Sequence, residues 1–241
     1  MFNTFSGSFK FGHRPVRVVA GSAPSPGTSG AYNDLIWTSS QTWSDRGTNG
    51  ADGLVTGSGA TSGTDSYGPY TNLTSTSYIN NGINLSSPFT ISIIASLNPS
   101  TYWASLFGCD NFGTQGGWWA YLTSSTSLFF GSTASSGVTA TVSNINSINM
   151  WTFIWDGTNA TIYQNKNSLA TASISNPSGA HPNNTNWGAR HTNAGANQIA
   201  TNQPQDPCPG TYRRLLRWNT ALSNGGVTSN YNSFKSYYNL P

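Results

Sequence analysis

Glycan hydrolysis by two carboxylates needs an acid and a nucleophile or base held close together. This chain contains no glutamate. Its side-chain carboxylates are seven aspartates, Asp34, Asp45, Asp52, Asp65, Asp110, Asp156 and Asp206, each alone in a turn-like segment. Isolated aspartates of this kind build turns by accepting nearby backbone N–H groups. The spacing offers no acid/base pair. Nucleophilic catalysis would need a serine or cysteine held by a histidine. His13, His181 and His191 stand in polar segments, and no G-x-S-x-G elbow surrounds a serine. The chain therefore reads as a non-enzyme. Cys109 and Cys208 lack metal-ligand spacing. A disulfide between them and two separate structural thiols both remain open, with separate thiols favoured.

Binding chemistry is better supplied. Sugar sites pair an exposed aromatic ring with Asn, Asp or Arg hydrogen-bonding groups. Tyr102, Trp103, Trp118 and Trp119 flank the glycines Gly113, Gly116 and Gly117. A second set lies in the polar stretch from His181 to Cys208, with Asn186, Trp187, Arg190 and His191 at its centre. That stretch reads as a long loop, and long loops are usually functional. A ligand site and a subunit contact are both open there. Trp118 and Trp119 are adjacent, so in a strand they face opposite sides and one of them belongs to the core. Nucleic acid is not an expected partner, because the body is neutral and lacks a basic face. Arg213, Arg214 and Arg217 share a stretch with Leu215 and Leu216, where arginines pair with aspartates or stack on aromatic rings.

The elements that must position these residues are mostly strands. Charged residues make up 7% of the chain and aromatic residues 13%; the aromatic content supplies a core that a disordered chain would lack. Phe89, Ile91, Ile93, Ala95 and Leu97 alternate with polar residues except at Ile94, which predicts a half-buried strand. Asn81-Gly82 predicts a hairpin. Trp118–Leu122 and Ser127–Phe130 read as strands, as do Trp151–Trp155 and Ala160–Ile162, joined by the turn Asp156-Gly157-Thr158-Asn159. Tyr212–Trp218 is a late strand. Short strands at roughly 8–12-residue spacing indicate a sandwich or barrel. Val227, Tyr231, Phe234 and Tyr238 share one face of a short C-terminal helix.

Residues 1–30 form a separate arm and linker, and 31–241 the domain. Phe2, Phe5, Phe9 and Phe11 punctuate a polar background, Lys10, Arg14 and Arg17 make the arm basic, and Pro24, Pro26, Gly27 and Gly30 follow. Such an arm is expected to insert its rings into a partner or to remain solvated. No apolar run of signal-peptide type or of membrane-span length is present, so synthesis in a cytoplasm and no membrane insertion are expected.

Four segments together resemble the laminin-G-like, concanavalin A-like jelly roll. They are the opening turn WSDRGTNGADGL from Trp43, the strand SPFTISIIASL, the hairpin MWTFIWDGTNATIYQNK, and the closing GTYRRLLRWNTALSNGGVTSNYNSFKSYY. The resemblance covers about residues 31–241 and implies an all-β antiparallel jelly-roll sandwich. The acids usual at the start of the closing helix are replaced by Asn224-Gly225-Gly226, and the glucanase relatives' catalytic carboxylates have no counterpart. Calcium ligands of the family cannot be placed. Ca²⁺ takes roughly six to eight oxygens; Asp110, Asp156 and Asp206 could contribute, but turn-building is their expected role, so no cofactor and no metal are assigned. With its aromatic-basic arm and the ending N-Y-N-x-x-K-x-x-Y, the chain resembles jelly rolls of tailed-bacteriophage virion proteins. That resemblance implies a virion location, capsid or tail proteins as partners of the arm, a homo-oligomer within the particle, and a lectin-like domain displayed toward glycans. The alternatives are a free carbohydrate-binding lectin and an architectural decoration protein without a ligand.

Overall fold

A computed structural model describes residues 30–241 except 32, 40–41, 51, 82–84, 86–87, 110–116, 134–135, 176–185 and 190–205. The arm residues Phe2, Phe5, Phe9, Lys10, Phe11, Arg14 and Arg17 lie outside the described residues, as do Arg190 and His191. The described chain forms sixteen strands and one helix. In order these are β1 (Asn33–Ser39), β2 (Thr42–Asp45), β3 (Gly53–Gly57), β4 (Thr61–Asp65), β5 (Gly68–Leu73), β6 (Ser77–Asn80), β7 (Phe89–Leu97) and β8 (Ala104–Cys109). Then follow β9 (Trp118–Ser124), β10 (Ser127–Thr133), β11 (Ser136–Thr141), β12 (Asn149–Trp155), β13 (Asn159–Gln164), β14 (Asn167–Ser173), β15 (Asn186–Trp187), β16 (Gly210–Trp218) and α1 (Asn224–Tyr238).

One hydrogen-bonded path runs β11-β10-β9-β8-β15-β6-β3-β2-β1-β16-β7-β12-β13-β14, with β4 and β5 off it. All its ladders are antiparallel, and the path curls so that its two halves face each other across a core, the arrangement of a jelly-roll sandwich. Rings from the two halves meet inside. Phe89 lies 5.0 Å from Trp118, Trp118 4.9 Å from Trp155, and Phe107 5.3 Å from Phe153. The alternating residues Phe89, Ile91, Ile93, Ala95 and Leu97 all enter this core, as do Trp151, Phe153 and Trp155.

Ile94 breaks the alternation for a reason only packing supplies. The outer face of β7 and β12 is covered by α1, and Ile94, Met150, Ile154 and Leu216 form a second core with Val227, Tyr231, Phe234 and Tyr238 of the helix. The polar outer residues of β7 are used as well. Thr90 Oγ1 donates to the Thr220 carbonyl and accepts from the Leu222 N–H, both at 2.9 Å, which fixes the chain entering the helix. Ser223 caps the helix, its Oγ accepting from Gly226 N–H at 3.2 Å, so the missing acids of the opening turn are not needed. At the other end Asn239 adopts the left-handed conformation, φ 52°, a common helix stop.

One sequence expectation is corrected and one lies outside the described residues. The Asn81-Gly82 hairpin falls on residues 82–84, which are not described; β6 before it pairs with β3 on one edge and β15 on the other. The stretch from His181 to Cys208 is not structureless throughout. Asn186 and Trp187 form β15, which fills the gap between β6 and β8. The physical reason is Trp187 itself: a large apolar ring gains more from a core seat than its polar neighbours lose by following it.

Candidate functional site

The seven-residue strand β9 sends alternate rings to opposite faces. Trp118, Ala120 and Leu122 point into the sandwich core, whereas Trp119 and Tyr121 stand on the outer face with Phe129 of β10. Tyr121 lies 4.4 Å from Trp119 and 4.9 Å from Phe129, ring centre to ring centre. This outer cluster needs glycines beneath it. A Cβ on Gly137 would come within 2.2 Å of the Phe129 ring, and one on Gly131 within 2.8 Å.

The chain reaches β8 through a turn that lays one more ring on the cluster. Trp103 sits in the left-handed region, φ 74°, uncommon for a bulky residue. Its N–H donates to the Leu122 carbonyl at 2.8 Å, and its ring stacks on Tyr121 at 5.1 Å and 15° between planes. Trp103 is 53% exposed and its neighbour Tyr102 57%, two of the three large apolar side chains exposed among the described residues. The result is a flat ring, held from below by Tyr121 and open above. That geometry suits the apolar face of a sugar ring or another planar group.

The other proposed platform residues fall differently. Trp118 and Trp187 are fully buried in the sandwich core and offer no face to a ligand. Both were corrected by the same cause, an inward-facing strand position. Trp119 is 2% exposed and supports the cluster from within. Asn186 pairs through its backbone with Asn80 and Gly108. Arg190 and His191 are not among the described residues. Tyr121 and Phe129, which build the platform, were not singled out from sequence, although the period of two through Trp119 and Tyr121 carried the signal.

The aspartates hold structure together. Asp45 accepts from the N–H groups of Asp34 and Gly47, each at 2.8 Å, and from Asn33 Nδ2 at 2.6 Å. Asp156 closes the β12–β13 turn, and the backbone N–H of Asn159 holds its carboxyl below the usual range. Asp206 has φ 48° just before Pro207, which bridges to Ser105; Asp110 is outside the described residues. Asp34 takes Arg214 in a bidentate pair, and Asp65 takes Arg213 likewise. Among the described residues no three His, Cys, Asp or Glu side chains come together as a metal group. Cys208 carries a free, buried thiol, and burial pushes it up to about 12. The disulfide alternative is thereby corrected: Cys208 is a structural thiol, its carbonyl accepting from Tyr212 Oη at 2.9 Å.

The strand order and core together define an antiparallel jelly-roll β-sandwich. No protein-family model matches the chain, and no curated protein matches it in sequence. Solved structures do match in fold. The receptor-binding domain of botulinum neurotoxin type G superposes with a TM-score of 0.63 at 15% identity, covering 85% of this chain and 51% of that one. The binding domain of botulinum neurotoxin DC matches with a TM-score of 0.63 in its complex with rat synaptotagmin II, and 0.64 in its complex with SialylT. Identity is 14% in both, with 86% of this chain and 52% of the other covered. The chain thus spans about half the length of these structures. Among the described residues no helix is long and apolar enough to cross a membrane.

Proposed function

We propose that this chain is a non-enzymatic, lectin-like binding module that takes glycans on the Trp103 platform. The observation that carries the reading is the exposed Trp103 ring stacked flat on Tyr121 beside exposed Tyr102. Leaving such a ring in water has a cost that a stacked ligand removes. The fold neighbours named above are binding domains, one of them in complex with SialylT, which supports recognition over catalysis. Asp34, Asp45, Asp52, Asp65 and Asp156, engaged in turns or ion pairs, support it too.

The finer reading is a bacteriophage virion component. It rests on the aromatic-basic arm and the closing motif. The arm docks Phe2, Phe5, Phe9 and Phe11 onto a capsid or tail protein, with Lys10, Arg14 and Arg17 beside them, and several copies present their domains outward. Weak single contacts then gain effective affinity through multivalency. Deleting residues 1–20 should abolish incorporation into particles while the domain stays folded; normal incorporation rejects the arm as an anchor.

The platform is tested by Trp103→Asn on an array of glycans. Asparagine tolerates the left-handed backbone and removes the ring. Binding should weaken about tenfold, the equivalent of ~1.4 kcal/mol, with an unchanged melting temperature. Equal binding by the variant rejects Trp103 as the platform.

A further inference from the structure

A cleft of about 610 Å³ opens on the outer face of the other half of the sandwich, where α1 ends. Its lining includes Tyr67, Ser96, Asn146, Ser147, Arg213 and Asn239. Three walls rise from a floor, and each wall is fixed from behind. Ser96 belongs to β7 and Arg213 to β16, so the floor is sheet.

One wall is the turn between β11 and β12. Asn149, 1% exposed, donates from Nδ2 to the carbonyls of Asn144 at 2.9 Å and Ser147 at 3.0 Å. Its Oδ1 accepts from Gln164 at 3.2 Å and Asn165 at 2.9 Å, and Gln164 also donates to the Ser143 carbonyl at 2.6 Å. Leu97 N–H ties the same turn to β7 through the Ile145 carbonyl at 2.8 Å. A buried carboxamide network that is this well satisfied makes a rigid turn.

The opposite wall is the β4–β5 turn. Arg213 donates to both oxygens of Asp65, at 2.9 and 2.7 Å, and lies 5.4 Å from the rings of Tyr67 and of Tyr70. Gly68 has φ 89°, and a Cβ there would meet Tyr237 Oη of α1 at 2.7 Å, so this turn abuts the helix. The last wall is the left-handed Asn239 and the chain after it, anchored by buried Leu240 and by Tyr231, whose hydroxyl donates to the Pro241 oxygen.

The lining has a definite chemistry. Among the described residues, no hydrogen bond engages the side chains of Ser96, Asn146, Ser147 or Asn239. Serine hydroxyls and carboxamides both donate and accept, as sugar hydroxyls do. Tyr67, half-buried, adds an aromatic ring. Arg213 is the one charged side chain in the lining, and Asp65 neutralises it. An anion would find no uncompensated cation there.

We propose that this cleft is a second carbohydrate subsite, taking a neutral saccharide of roughly two or three rings, a size that suits pockets of this volume. The inference rests on the binding-module reading but not on Trp103, which lies on the opposite outer face.

The test uses the full chain on an array of neutral oligosaccharides and their sialylated counterparts, followed by titration calorimetry with the best neutral binder. Trp103→Asn and the double variant Ser96→Ala/Asn146→Ala are compared. Because no hydrogen bond from a described residue engages the substituted groups, the double variant should melt as the wild type does. The expected result is about a tenfold loss of neutral-glycan affinity in the double variant, with binding retained in Trp103→Asn. Loss in Trp103→Asn alone overturns the cleft and leaves the platform standing. Loss in the double variant alone supports the cleft for that glycan, and the platform is judged by the array glycans that lose binding only in Trp103→Asn. Cleft-dependent binding of sialylated glycans only overturns the neutral class, and an array without any binding overturns both sites.

Discussion

Asp34→Asn removes one charge from a buried ion pair while conserving volume. Arg214 is fully buried on β16, and it donates from Nε to Asp34 Oδ1 at 2.8 Å and from Nη2 to Oδ2 at 2.6 Å. Its guanidinium also lies 4.6 Å from the Phe234 ring of α1, so the pair sits where strand β1, strand β16 and the helix meet. Removing one partner of a buried pair leaves an uncompensated charge in a poor solvent, at a cost of about 3–5 kcal/mol. For a chain of this size that corresponds to a melting temperature lower by about 6–20 °C. Arg214→Met should cost less, because Asp34 keeps Arg46 at 3.4 Å on its more exposed side. The double variant Asp34→Asn/Arg214→Met buries neither charge and should recover to within about 2 kcal/mol of wild type. Urea unfolding followed by tryptophan fluorescence gives the four stabilities. An Asp34→Asn variant within about 1 kcal/mol of wild type refutes the reasoning, as does a double variant no more stable than the single.

The remaining expectations concern the platform's foundation, one surface clamp and one thiol. Gly137→Ala drives a methyl into the Phe129 ring at 2.2 Å and should destabilise by about 1–3 kcal/mol; thermal unfolding at the wild-type temperature would contradict the glycine's packing role. The Arg213 hydrogen bonds hold the Asp65 carboxyl below its ordinary 3.8. The folded value is therefore the lower one, so the stability gained is present above pH 3.8 and lost as pH falls through the folded value. Asp65 is 38% exposed, and solvent screening limits the gain to about 1 kcal/mol or less. The difference between wild type and Asp65→Asn should be constant near neutrality and shrink under acid; a difference that grows on acidification contradicts this. Burial keeps the Cys208 thiol protonated, pushed up to about 12, so iodoacetamide at pH 8 should label its peptide only after unfolding. Labelling in the native state, read by peptide mass spectrometry, would show that the site opens.

What could be read from the residues follows from local periodicity. The period of two in β7 and β12 and the four-three-four spacing of Val227, Tyr231, Phe234 and Tyr238 are properties of consecutive residues, and the structure buries those side chains. The arginine cluster of β16 pairs with aspartates and stacks on rings, as its company with leucines suggests. The candidate site was legible only in part. Tyr102 and Trp103 stand exposed, but Trp118 and Trp187 are core, because an aromatic ring in a Gly- or Asn-rich context has the same sequence signature on either side of a sheet.

The residues alone specify an all-β chain closed by one amphipathic helix. Tertiary structure alone decided which edges of β6 are occupied, why Ile94 faces outward, and which aromatic rings face water. It also brought Ser96, Asn146 and Arg213 to one cleft from three distant strands and turns. The reason is physical: strand pairing and layer packing join residues more than a hundred positions apart, as in Thr90 with Thr220 or Asp34 with Arg214, and no local pattern encodes which distant surface a side chain will meet.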